Sequence, residues 1–179
     1  MRVVAGTARG RRIIVPVGDR TRPTADRVRE AVFNALYSLG AVEDAGVLDL
    51  YAGSGAMGIE ALSRGAAGAV FVENDRAALA ALRENLRTLG FEDRSTVVPG
   101  DAAAFVAGGV EADLIVLDPP YDFDGWPELL APLHDAIVVI ESDREIELPA
   151  GWQTHRVRRY GGTVVTLAFA PDVPESTQP

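Results

Sequence analysis

The sequence predicts an α/β fold with a mostly parallel, seven-stranded central sheet, helices on both faces and an antiparallel hairpin near the C-terminus. Beyond Gly46, short apolar runs alternate with segments of helical periodicity, which is typical of a parallel sheet covered on both sides. Two strand-like runs flank Gly161-Gly162 and predict the hairpin. The 179 residues, 47% apolar and 24% charged, correspond to about one globular domain.

The N-terminal region predicts a small β-hairpin, a linker and a helix. Residues 1–16 alternate loosely around two glycines, and residues 18–23 are turn-rich and basic. A helix is expected over 24–39, where apolar residues recur at helical spacing. On this helix Arg27 and Arg29 fall off the apolar stripe, so we expect both to face outward.

The remaining elements alternate along the chain. The predicted strands cover residues 47–51, 69–72, 96–98, 114–117, 137–140, 152–160 and 163–169. The predicted helices cover residues 56–64, 76–89, 101–107 and 126–134. We therefore expect a basic hairpin and linker over 1–23, one domain over 24–170, and a disordered tail over 171–179, which holds three prolines and no apolar periodicity.

The charge is distributed unevenly. All 17 basic residues are Arg, and 26 acidic residues bring the net charge to −9. Residues 1–30 hold eight Arg and three acidic residues (net +5), so the rest holds nine Arg and 23 acidic residues (net −14). A basic arm on an acidic body indicates nucleic-acid binding confined to the arm, because the Arg fork suits phosphate. A solvated face with a compositional preference for Arg is the alternative.

Composition excludes several classes of site. The chain has no cysteine, which rules out disulfides, thiolate metal sites and thiol nucleophiles. His134 and His155 are isolated in the sequence, so we expect no metal centre. With no secretory segment and no long apolar run, we expect a cytoplasmic protein without a membrane span.

A glycine-rich loop follows the first predicted parallel strand. Residues 53–58 satisfy G-x-G-x-x-G, and Glu73 ends the next strand 20 positions after Gly53. The glycines permit close approach of a ligand, and the acid can accept hydrogen bonds from ribose hydroxyls. These features predict a nucleoside-containing cofactor, either NAD or S-adenosylmethionine.

Two acidic residues favour the methyl donor. Asp49 lies in the strand before the loop, where it can orient the loop backbone or meet the cationic end of S-adenosylmethionine, whereas it would repel a pyrophosphate. Asp101 follows the third strand and can accept a hydrogen bond from an adenine amine. Capping of a helix N-terminus is the structural alternative for each acid.

The segment 118–121, Asp-Pro-Pro-Tyr, follows the buried run 114–117, at a strand end where open α/β sheets bind ligands. The prolines fix the backbone and leave carbonyl acceptors without N–H donors. The Asp118 carboxylate and the Pro119 carbonyl can therefore accept hydrogen bonds from both N–H groups of a planar exocyclic amine, while Tyr121 stacks on the base. The base must leave its helix to be reached. A rigid loop with an incidental aromatic is the alternative.

The chemistry needs no strong general base. A sulfonium methyl is already activated and loses its positive charge on transfer, so positioning and desolvation supply most of the acceleration. Nearby, Trp126 either lines the mouth of the site or begins the next helix.

Together these motifs resemble the class I S-adenosylmethionine-dependent methyltransferases. At the N-terminus, residues 2–6, 9–12, 22–24 and 26–34 narrow the resemblance to the RsmD family, and the match spans roughly residues 1–122. The resemblance implies a Rossmann-like fold and S-adenosylmethionine as the cofactor. It also implies methylation of the exocyclic N2 of one guanine in 16S ribosomal RNA, within the small subunit or its assembly intermediate.

The motifs and the resemblance assign residues to three roles. The catalytic set is Asp118, Pro119, Pro120 and Tyr121. The cofactor-binding set is Asp49, Tyr51, Gly53, Ser54, Gly55, Glu73, Asn74, Asp101 and Ala102. The RNA-binding set is Arg2, Arg9, Arg11, Arg12, Arg22, Arg27 and Arg29.

Three other functions stay open on the sequence. A DNA adenine-N6 methyltransferase would use the same clamp on another amine. The glycine pattern alone permits an NAD-dependent oxidoreductase, although the chain lacks the Lys of a Tyr-Lys proton relay. A non-catalytic RNA-binding assembly factor would keep the fold without turnover.

Overall fold

The structure, a computed structural model, describes residues 1–16 and 26–172. The predicted linker 18–23, which includes Arg22, and nearly all of the predicted tail lie outside these residues. The strands are β1 (Gly46–Leu50), β2 (Gly68–Glu73), β3 (Ser95–Pro99), β4 (Leu114–Leu117), β5 (Ile137–Ser142), β6 (Gln153–Tyr160) and β7 (Thr163–Phe169). The helices are α1 (Asp26–Ser38), α2 (Ala56–Ser63), α3 (Arg76–Leu89), α4 (Ala102–Val106) and α5 (Trp126–Leu130), with a 3₁₀ turn at Glu92–Arg94.

The strands form one seven-stranded sheet in the order β3-β2-β1-β4-β5-β7-β6. Strands β1 to β5 pair in parallel, and β7 is antiparallel to both β5 and β6. The predicted sheet and its C-terminal hairpin are therefore confirmed. The chain order reverses between β1 and β4, which is where sheets of this type bind ligands.

Two hydrophobic layers cover the sheet, and residues of β4 alternate between them, as strand geometry requires. Leu114 and Val116 join the layer that contains the N-terminal segment and helices α1, α2 and α3. Ile115 and Leu117 join the layer that contains α4 and α5. The parallel strands read as continuous apolar runs because both of their faces are buried.

Residues 1–16 reverse direction as expected, and their antiparallel pairing is short. A single antiparallel bridge joins Arg2 to Arg12, and turns lie between them. The N–H groups of Val4 and Ala5 donate to the Glu60 carboxylate of α2 at 2.8 and 2.9 Å. The two arms of the segment also bond to each other, because Val3 N–H donates to the Arg11 carbonyl and Ile13 N–H to the Met1 carbonyl, both at 3.0 Å.

Helix α5 is shorter than the predicted 126–134. It ends at Leu130, because Pro132 lacks the N–H group that would continue the helical hydrogen bonds. Trp126 begins this helix and is buried, so the second of its two interpretations is correct. None of the described helices has the length and apolarity needed to cross a membrane.

Candidate active site

Strand register brings the predicted site segments to one edge of the sheet. Leu50 pairs with both Val72 and Leu117, so the glycine loop emerges between Glu73 and Asp118. Glu73 in turn pairs with Pro99, so the loop that carries Asp101 lies beside it. The order along this edge is Asp101, Glu73, the glycine loop and then Asp118.

The backbone of the glycine loop adopts left-handed conformations. Tyr51, Gly53 and Gly55 have φ angles of 61°, 56° and 80°, and Tyr51 therefore turns out of the predicted strand 47–51. Gly55 is the N-cap of α2 and makes no side-chain hydrogen bond of its own to the helix. A Cβ on Gly55 would lie 2.4 Å from Leu82 Cδ1, so glycine is required there on conformational and steric grounds.

Asp49 orients the glycine loop from below. Its side chain is buried, and its Oδ2 accepts a 2.8 Å hydrogen bond from the backbone N–H of Gly58. Burial raises the pKa of Asp49 to about 7; the bond from Gly58 opposes the rise and the charge of Glu73 adds to it. Asp49 therefore contacts the loop backbone and, as the capping alternative predicted, satisfies an N–H group in the first turn of α2. Its contact with the cationic end of the cofactor stays a prediction.

Glu73 lies half-buried beside the loop and already accepts three backbone bonds. Gly53 N–H donates to Oε2 at 2.7 Å, and the N–H groups of Asn74 and Asp75 both donate to Oε1 at 2.8 Å. A carboxylate has about four lone-pair sites. Glu73 therefore has one acceptor site left, enough for one ribose hydroxyl. The sequence predicted hydrogen bonds from more than one.

Asp101 caps helix α4, with Oδ1 accepting a 2.8 Å bond from the N–H of Ala104. The half-buried Tyr51 lies near it: burial and the negative charge of Asp101 raise the pKa of the Tyr51 hydroxyl to about 12. The capping alternative for Asp101 is thus correct. Binding of adenine by Asp101 and by Ala102, the first residue of α4, stays a prediction.

Tyr121 lies at the rim of the site. Its ring is half-buried, and its hydroxyl is 2.7 Å from Thr163 Oγ1 at the start of β7. The guanidinium group of Arg144 donates to the carbonyls of Tyr121 and Phe123 at 3.2 and 3.0 Å. The C-terminal part of the chain therefore fixes the loop that follows Asp118 and keeps the Tyr121 ring out of the core.

Aromatic contacts connect the two loops of the site. Tyr51 and Phe123 make an edge contact at 5.7 Å between ring centroids, and Phe123 makes another with Trp126 at 5.2 Å. Such contacts add to the energy of apolar burial. The loop after Asp118 is thereby packed against Tyr51, which lies between β1 and the glycine loop.

The prediction that Arg29 faces outward is wrong. Its side chain is fully buried, with Nε 3.3 Å from Glu60 Oε2 and Nη2 2.9 Å from Asp26 Oδ1. Glu60 also accepts a 2.8 Å bond from Arg64. Arg29 therefore stabilises the N-terminal segment and is not available to RNA, whereas Arg27 is exposed as predicted.

The other described arginines of the N-terminal segment are exposed. Arg2 donates to the carbonyl of Gly10, and Arg11 donates to the carbonyls of Thr88 and Leu89 at the end of α3. Within the described part of the chain, Arg9 and Arg12 form no ion pair. These two are the best placed for a phosphate among residues 1–16.

Asn85 joins the N-terminal segment to the glycine loop and was missed in the sequence. Its side chain accepts from Ile14 N–H at 2.8 Å and donates to the carbonyls of Ile14 and Ser54, both at 2.9 Å. The available signal was a polar residue on the buried stripe of α3. Ser54 thus contributes its carbonyl to this bridge.

Within residues 1–16 and 26–172, no group of three or more His, Asp or Glu side chains is arranged to hold a metal ion.

Comparisons with known proteins agree on one family. The family model described as "Conserved hypothetical protein 95" matches residues 1–169. The ribosomal RNA small subunit methyltransferase D of Escherichia coli K12 is 40% identical over 178 residues, covering 93% of this chain and 88% of its own length. The protein of the same name from Haemophilus influenzae is 32% identical, covering 85% of this chain and 84% of its own.

A solved structure extends the likeness to three dimensions. The Escherichia coli protein yhhF matches with a TM-score of 0.85 and 38% identity, over 97% of this chain and 99% of its own. The fold is therefore that of a Rossmann-like class I methyltransferase. The chain belongs to the conserved hypothetical protein 95 family, the RsmD family of methyltransferases.

Proposed function

We propose that this protein transfers a methyl group from S-adenosylmethionine to the exocyclic N2 of a guanine in small-subunit ribosomal RNA. The observation that carries the proposal is the pairing of Leu50 with Leu117, which sets the glycine loop beside Asp118. The names of the relatives support ribosomal RNA of the small subunit as the substrate.

The residues around the glycine loop suit the proposed cofactor. The left-handed loop gives a ligand close access to the backbone, and Glu73 keeps one acceptor site for a ribose hydroxyl. Asp49 holds the loop in place from its buried side. Tyr51 and Asp101 lie near each other at the end of the site where the adenine of the cofactor would bind. When bound, S-adenosylmethionine supplies an electrophilic methyl group on a sulfonium.

The loop 118–121 acts on the target amine. The Asp118 carboxylate and the Pro119 carbonyl accept hydrogen bonds from its two N–H groups, which directs the nitrogen lone pair toward the methyl donor. Tyr121, fixed through Thr163, provides a face for the flipped base. After methyl transfer the amine carries an extra proton, which leaves to water or to Asp118.

The exposed Arg9, Arg12 and Arg27 contact the phosphate backbone in this scheme. Phosphate contacts give affinity and orientation without reading sequence. The partner is 16S ribosomal RNA in the small subunit or its assembly intermediate, and the place of action is therefore the cytoplasm. No step needs a metal ion or a membrane.

The test supplies a labelled methyl donor with three substrates: small subunits, deproteinised 16S RNA and duplex DNA. The wild-type protein is expected to label guanine in the RNA. Asp118→Ala should lower kcat by at least ~100-fold through lost positioning of the amine, while calorimetry shows unchanged donor binding. Asp122→Ala, an exposed acid in the same loop, is the matched control and should stay near wild type.

Three outcomes contradict the proposal. Label found only in DNA identifies an adenine methyltransferase. Binding of NAD with no affinity for the methyl donor identifies an oxidoreductase. Absence of label from every substrate, together with RNA binding, identifies an assembly factor without turnover.

A further inference from the structure

A second basic surface lies at the far edge of the sheet. Strand β6 is the edge strand, and it pairs with β7. Six of its eight residues are exposed, among them Arg156, Arg158 and Arg159. The sequence led us to expect basic contacts in the N-terminal arm alone, so this surface needs its own explanation.

The charge of this surface stands out against the acidic body. The two longest stretches without an acidic residue are 1–18 and 148–171. The first is the basic arm, and the second contains β6 and β7. Arg156, Arg158 and Arg159 form no ion pair with another described residue.

Strand register places one end of this surface beside the active site. Tyr160 pairs with Thr163, whose hydroxyl contacts Tyr121. Arg158 lies two positions earlier on β6, roughly 7 Å along the strand. An RNA strand whose base occupies the 118–121 loop would therefore pass close to this arginine.

Two of the arginines also face the side of the sheet that carries the arm. Arg156 and Arg158 line a shallow crevice together with Ala31, Val32 and Ala35 of α1. Arg27 precedes Ala31 by one helical turn and is exposed. The arginines of β6 that line this crevice therefore lie on the same face of the sheet as α1, which carries Arg27.

We infer that the β6 edge is a second contact surface for RNA, in which Arg156 and Arg158 bind backbone phosphates next to the flipped nucleotide. This inference rests on the proposed function, because it takes the RNA of that reaction as the ligand. Arg suits the task, since its planar fork matches phosphate and its charge is permanent. The surface orients the RNA and does not read its sequence.

The test compares the double variant Arg156→Gln/Arg158→Gln with the wild type in binding to 16S RNA at several salt concentrations. The slope of log K against log salt is negative, and each lost phosphate contact makes it less steep by about 0.7. At 0.1 M salt this corresponds to about 5-fold in affinity per arginine and about 25-fold for the pair. KM for RNA should rise in proportion, with kcat at saturating RNA and donor binding unchanged.

Two further variants separate charge from packing. Arg156→Lys/Arg158→Lys keeps the charge and should keep most of the salt slope. Arg83→Gln removes an exposed arginine of α3, a helix that packs near β3 at the opposite edge of the sheet. It should leave RNA affinity near that of the wild type.

The inference and the proposed function fail in different ways. If the wild type methylates small-subunit RNA but the double Gln variant keeps its affinity and salt slope, the surface inference is overturned and the function stands. If the wild type does not methylate RNA, the function itself fails. A defect on whole subunits with normal binding to free RNA would make the partner a ribosomal protein and would also overturn the inference.

Discussion

Replacing Asp49 by Asn should change how stability depends on pH. Burial raises the pKa of Asp49 to about 7 in the folded protein, whereas an aspartate in an unfolded chain has a pKa near ~3.9. Between these values the folded protein holds a proton that the unfolded chain has released. The free energy of unfolding therefore falls as the pH rises from about 4 to about 7 and levels off above.

The size of the effect follows from the two pKa values. Between pH 5 and pH 8, this one carboxyl removes about 3 kcal/mol from the free energy of unfolding. In Asp49→Asn the group cannot ionise, and its carbonyl can still accept from Gly58. The wild type should thus lose about 3 kcal/mol relative to the variant over this interval.

The assay is urea unfolding of both proteins at pH 5 and pH 8. Asp122→Asn, which removes an exposed charge, corrects for the loss of one negative charge in general. A difference between wild type and Asp49→Asn that is the same at both pH values would refute the reasoning. It would mean that the buried carboxyl keeps its ordinary pKa.

Two more predictions concern the residues that hold the site together. Glu60→Ala removes the buried carboxylate that pairs with Arg29 and leaves only the exposed Asp26, so it should lower the free energy of unfolding by about 3–5 kcal/mol. Glu84→Ala, at an exposed ion pair with Arg87, should change it far less; equal losses in urea titrations would contradict the role of Glu60. Thr163→Val removes the partner of the Tyr121 hydroxyl and should lower kcat/KM for RNA about 3- to 10-fold with donor binding intact. Thr163→Ser keeps the hydroxyl and should restore activity, so equal defects in both variants would show that Thr163 acts only through packing.

The parallel core could be predicted because its signals are local. Strand β4 and helix α3 have the bounds that periodicity predicts, since each is a single apolar run or stripe. The position of Asp118 at a strand end follows from the same pattern. The order of the strands then brings the glycine loop and the 118–121 segment together, as alternating strands and helices imply.

The N-terminal segment could not be predicted because its partners are distant in sequence. Arg29 is buried because it pairs with Glu60, which lies 31 residues later in the sequence. Helical periodicity contains no information about that contact. Asn85 joins Ile14 to Ser54 over 71 and 31 residues. Thr163 and Arg144 contact the loop that follows Asp118 from the last third of the chain, where the sequence offers no motif.

The most direct test of the central claim is mass spectrometry of small-subunit ribosomal RNA nucleosides from cells that lack this gene and carry it back as wild type or as Asp118→Ala. We predict that the wild type restores N2-methylguanosine at one position and that Asp118→Ala, although it folds and binds the donor, does not. Restoration of the mark by Asp118→Ala, or a methyl group on another atom of the RNA, would contradict the account.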